Sequence, residues 1–163
     1  MKGERVKIIE YIMRKAGLER VETREHMEKF VETAHRTGSN VLWEFTNTAK
    51  TRGRALSEIR SSLDYPTELE FIATVLLLHK GKVQQEEARR IGEQLGVRVT
   101  KSPKLLPNLV SIGVLEKENP KTYVLRHRKP LEYLLERWRE RGHKMFDRMD
   151  RILREIRKME ENH

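Results

Sequence analysis

The sequence predicts a mostly α-helical protein with a single β-hairpin, N-terminal helices and a long, coiled-coil-like C-terminal helix. Three observations lead there. Apolar residues recur at three- and four-residue spacing over most of the 163 positions. Gly and Pro cut that pattern into helix-sized pieces. One pair of short apolar runs, Val114-Leu115 and Tyr123-Val124-Leu125, brackets the polar loop 116–121 as a hairpin would.

Ile8, Ile9, Ile12, Met13 and Ala16 set a first helix over 4–16, which Gly17 ends. A second begins near Thr23, with Met27, Phe30, Val31 and Ala34 as its apolar face and Gly38 as its stop. Ser39 or Asn40 can cap a third. Leu42, Phe45, Ala49, Arg52, Leu56, Ile59 and Leu63 carry it from about 40 to 64, with Arg52 and Gly53 as its weak point. Pro66 closes the region. Thr67 and Glu70 then form a capping-box pattern ahead of Leu69, Ile72, Ala73, Leu76 and Leu77, and that helix ends at Lys80-Gly81. A helix over 85–95 precedes Gly96, and an apolar segment over 105–112 precedes Gly113. Beyond Pro130, Leu131, Leu135, Trp138, Gly142, Met145, Met149, Ile152, Ile156 and Met159 alternate by four and three, a heptad seam of about four heptads. The expected regions are thus 1–65, N-terminal helices; 66–128, the hairpin-bearing domain; and 129–163, one long helix.

Composition narrows the function. There are 34 Lys+Arg against 25 Asp+Glu, a net charge of +9, and no cysteine. Thiolate chemistry and disulfides are excluded. The longest apolar run, Val75–Leu78, is too short to span a bilayer. The N-terminus lacks a signal-peptide core, so a cytoplasmic protein is expected, and the high charge without cysteine fits a thermophile. His26, His35, His79, His127, His143 and His163 have no zinc-ligand spacing, and neither a phosphate loop nor a nucleophile elbow is present. Neither enzyme chemistry nor a cofactor is expected. The basicity favours a polyanion. Between Arg98 and Lys129 lie eight basic residues, opposed only by Glu116 and Glu118. Phosphate contact needs clustering of this kind.

Ala88, Ile91, Leu95, Gly96, Val97, Leu106, Leu109 and Gly113 form one constellation. Ala88 is small where two helices cross, and Ile91, Leu95, Leu106 and Leu109 face a core. Gly96 follows a helix end, Val97 plugs the turn, and Gly113 leads into a strand. Over about 67–126 this resembles the winged helix-turn-helix of MarR-like and related prokaryotic regulators. The resemblance implies a homodimeric, DNA-binding transcriptional regulator whose partner is double-stranded DNA. Its second motif helix would enter the major groove, with Arg98, Thr100, Lys101, Lys104 and Asn108 facing it. Lys117, Asn119 and Lys121 would act from the wing, and Arg126 and Arg128 from the exit strand. The seam residues Leu131, Leu135, Trp138, Met145, Met149, Ile152 and Ile156 would form the dimer interface, with the 40–64 helix as second candidate. Regulators of this kind also have effector pockets between dimer helices and winged domain, which Phe30, Trp43 and Phe45 could line; no effector is named by the sequence. The alternative function is a helical scaffold that binds a protein partner without touching nucleic acid.

Pro103 and Pro107 depart from the family pattern. In a helix capped by Ser102, Pro103 suits the first position, but the ring of Pro107 would clash with the Pro103 carbonyl. Either the helix kinks, or it begins near Leu106 and residues 98–105 form a loop that contacts phosphates rather than bases.

Overall fold

A computed structural model of the chain describes residues 2–37, 49–98 and 104–162. Helix α1 (Lys2–Ala16) buries Ile8, Ile9, Ile12 and Met13 along one stripe. It ends in a left-handed Gly17, φ 71°, with the Leu18 N–H donating back to the Met13 carbonyl at 2.9 Å. Helix α2 (Arg24–Arg36) starts where expected, the Thr23 hydroxyl accepting the His26 N–H at 3.0 Å. Its buried face includes the four residues named from spacing, Met27, Phe30, Val31 and Ala34. Helix α3 (Ala49–Asp64) runs through Gly53 without a break and buries Leu56, Ile59 and Leu63. The expected start of this helix near residue 40 lies outside the described residues, as do Gly38, Trp43 and Phe45. Phe30, offered as a pocket residue, is sunk in the core.

Helix α4 (Glu68–Lys80) carries the full capping box: the Glu70 N–H donates to the Thr67 hydroxyl and the Thr67 N–H to Glu70 Oε1. Eight of its residues are buried, so it is the central helix. Strand β1 (Lys82–Gln84) follows Gly81; its three residues are too few for an alternation pattern to reveal. Helix α5 (Gln85–Gln94) and helix α6 (Leu105–Ser111) come next, then strands β2 (Leu115–Asn119) and β3 (Thr122–Leu125). The hairpin is where the sequence placed it, with longer strands and a shorter turn. The sheet order is β1-β3-β2, antiparallel throughout, so β1 closes on the hairpin.

The expected single C-terminal helix is corrected. Helix α7 (Arg128–Glu140) stops at Gly142, whose φ of 74° no helix interior allows, and the His143 N–H donates to the Trp138 carbonyl at 3.0 Å. A 3₁₀ turn (Lys144–Arg148) and helix α8 (Met149–Glu161) follow. The heptad seam faces the chain's own interior. Leu131, Trp138, Met145, Ile152 and Ile156 are fully buried, and Leu135 and Met149 pack partly buried against the same core. The Trp138 indole N–H donates to the Leu63 carbonyl at 2.8 Å, and Phe71 of α4 packs against Trp138, His143 and Phe146. One hydrophobic cluster runs through all three regions delimited above. Among the described residues, no helix is long and apolar enough to cross a membrane.

Candidate nucleic-acid interface

The start of α6 decides how the basic window is used. No side chain of Lys104, the residue before the helix, caps it. Glu70 of α4 does so instead: the Leu105 N–H donates to Glu70 Oε2 at 2.6 Å. Glu70 thus holds the Thr67 N–H with one oxygen and the Leu105 N–H with the other. Burial pushes its carboxyl above the ordinary carboxylate value, against the opposing pull of those hydrogen bonds. With the helix beginning at Leu105, Pro107 falls in the first turn, where its missing N–H has no intrahelical partner to lose. The first helical bond is the Asn108 N–H to the Lys104 carbonyl, 3.1 Å. The start of α6 falls within one residue of that expected in the second alternative, and residues 99–103 lie outside the described residues.

Helix α6 buries Leu105, Leu106, Asn108 and Leu109. Asn108, expected to face a groove, is corrected: it is 2% exposed, and its Nδ2 donates to the Ser62 hydroxyl of α3 at 3.0 Å. Its neighbours Leu105 and Leu109 are core residues, and the helical repeat carries Asn108 to the same side. Pro107, Val110 and Ser111 make up the outer side of α6, so no long polar side chain projects from it. Ser111 donates its hydroxyl to the Pro107 carbonyl at 3.1 Å.

The remaining expected contacts divide into engaged and open. Arg126 pairs with Glu116 at 2.9 Å, a surface pair that holds it weakly. Arg128 opens α7 rather than lying on the exit strand, and though exposed it donates to the Leu78 carbonyl, 2.5 Å. Asn119 shapes the hairpin turn, its Oδ1 accepting the Lys121 N–H at 2.9 Å. Lys117 lies 5.3 Å from the centroid of the Tyr123 ring, and Lys121 is exposed at the hairpin tip. Arg98 is exposed just after α5, and Lys104 is half-buried at the foot of α6. Neither Arg98, Lys104, Lys117 nor Lys121 has a carboxylate partner among the described residues. Thr100 and Lys101 lie outside the described residues. Lys117 and Lys121 thus both stand on the hairpin, and Arg98 and Lys104 stand at the two ends of one connecting segment.

Two features escaped sequence reasoning. Arg89 and Arg90, exposed on α5 without carboxylate partners among the described residues, precede the basic window and were hidden by Glu86, Glu87 and Glu93 around them. Gly92 marks a close approach of α5 to α4: a Cβ there would lie 2.7 Å from Leu69 Cδ2. A glycine inside a helical pattern was the available signal.

No family model matches the chain, and no curated protein or solved structure matches it.

Proposed function

We propose that this chain is a DNA-binding transcriptional regulator that docks on duplex DNA through phosphate contacts from its hairpin and from the segment leading into α6. The observation that carries this reading is the set of open cations. Arg98, Lys104, Lys117 and Lys121 have no carboxylate partner among the described residues, whereas Lys82 and Arg126 beside them are paired to Glu118 and Glu116. A cation without a carboxylate partner is available to replace a counterion on a phosphate. The order helix, strand, helix, helix, hairpin over 68–125, with β1 closing on β3, supports a winged helix-turn-helix layout. The outer face of α6 offers no base-reading side chain, so the reading is of backbone docking, with sequence discrimination left to residues 98–104.

Recognition of two half-sites calls for a second copy of the chain. The C-terminal seam is spent on the chain's own core, so the homodimer of this proposal uses another surface.

Fluorescence anisotropy with random-sequence duplex at two salt concentrations tests the reading. The expected result is binding that collapses as salt rises. Lys121→Ala should lower the slope of log affinity against log salt by about one. Absence of binding at the lower salt would overturn it and leave the protein-binding scaffold.

A further inference from the structure

Among the described residues only two large apolar side chains are exposed, Val6 and Tyr65, and Tyr65 is 68% exposed. It stands immediately after α3, ahead of the buried Pro66. The Arg141 guanidinium carbon lies 5.6 Å from the ring centroid, and Arg141 Nη1 is 3.4 Å from the phenolic oxygen. Behind this pair lies a buried anchor. Asp64 is 7% exposed, and Arg137 takes its Oδ1 with both Nε and Nη2 at 3.0 Å. His35 Nε2 sits 2.9 Å from Oδ2, off the hydrogen-bond line, and Arg141 Nη2 approaches Oδ2 only to 3.8 Å.

One carboxylate cannot neutralise two guanidiniums. Arg137 holds the close hydrogen bonds, so the uncompensated positive charge rests on Arg141, which is 37% exposed beside the open ring. We propose that Tyr65 and Arg141 form a stacking platform for single-stranded nucleic acid, with a base on the Tyr65 ring and an adjacent phosphate on Arg141. An aromatic face accepts any base, and a neighbouring arginine supplies both cation–π support and a phosphate contact. Its contacts with the Tyr65 ring and hydroxyl place Arg141 there before any ligand arrives, which lowers the ordering cost of binding. Nothing in the site selects the sugar, so DNA and RNA strands share it. The site uses none of the residues of the duplex surface proposed above.

The test is anisotropy of the full chain with labelled oligothymidylate and oligouridylate, with duplex DNA as the parallel probe. Both single strands should bind. Tyr65→Ala should weaken them about tenfold, the effect of losing one stacked base. Tyr65→Phe should keep about wild-type affinity, and Arg141→Ala should weaken binding and flatten its salt dependence. Duplex affinity should not change in Tyr65→Ala, and circular dichroism should match the wild type because the ring is exposed. Failure of the wild type to bind either strand, equal affinity of Tyr65→Ala and wild type, or an equal loss on duplex would each overturn the platform. The single-strand outcomes are read whether or not the hairpin binds duplex, and the duplex comparison applies where it does.

Discussion

Glu70 serves two helix ends with one buried carboxylate. Glu70→Ala strips the acceptor from the half-buried Thr67 N–H and the buried Leu105 N–H, and a buried donor left without a partner costs about 1–3 kcal/mol. Urea unfolding of the variant should show a loss in that range or above it. The same carboxyl gives a pH dependence with a definite sign. Burial raises its folded-state value above the ordinary 4.5, so the folded protein keeps the proton after the unfolded chain has lost it. Its contribution is fully present below the ordinary value and declines as pH rises through the raised one. The stability difference between wild type and Glu70→Ala, followed by denaturation across that window, should shrink as pH rises. Half of this role was legible: Thr67 and Glu70 three apart are a local pattern. The bond to Leu105 was not, because nothing in local spacing links residue 70 to residue 105. Gly92 was overlooked for a different reason, its lack of any side chain to enter an apolar pattern. Gly92→Ala should force the flexible end of Leu69 to move, a cost of about 1 kcal/mol that the helix-propensity gain of about 1 kcal/mol offsets, so the denaturation midpoint should change little.

At the scale of elements, Gly142 separates the sequence reading from the structure by sign. In a continuous helix, replacing it with Ala would stabilise by about 1 kcal/mol. In the left-handed turn observed, with φ of 74°, an added Cβ meets no neighbouring atom but strains the backbone. Gly142→Ala should therefore destabilise by about 1 kcal/mol, and a lowered urea midpoint at unchanged slope checks it. The break escaped the heptad pattern because the 3₁₀ turn returns the chain to the core in phase. Met145 is buried inside the turn and Ile152 a helix later, so the apolar spacing continues across a change of direction. Boundaries set by capping chemistry were legible: Thr23, Thr67, Gly17 and Gly81 all act where the sequence placed them. The start of α6 was legible only as two alternatives, since the group that fixes it belongs to another helix.

The whole molecule joins regions that the sequence divided. Pro66 and Pro130 looked like boundaries, yet α2 meets α7 through the Arg24–Glu136 ion pair, and α3 meets α6 through Ser62 and Asn108. Amphipathic spacing tells which face of a helix is buried but not against what, and the seam residues were assigned to a second copy on that ground. Leu131→Ala tests the distinction. It is fully buried in the chain's own cluster, so truncation should cost about 2–5 kcal/mol. Unfolding followed at several protein concentrations should give the same loss at each. A loss that grew on dilution would return the seam to an intermolecular role.

The Asp64 anchor also bears on how the chain is made. Asp64 leaves the ribosome well before Arg137, which lies 73 positions later. Until then its carboxylate lacks Arg137 and Arg141, and burying an unpaired charge is strongly unfavourable. The end of α3 should therefore keep Asp64 in water until α7 arrives, and its final docking should come with that helix.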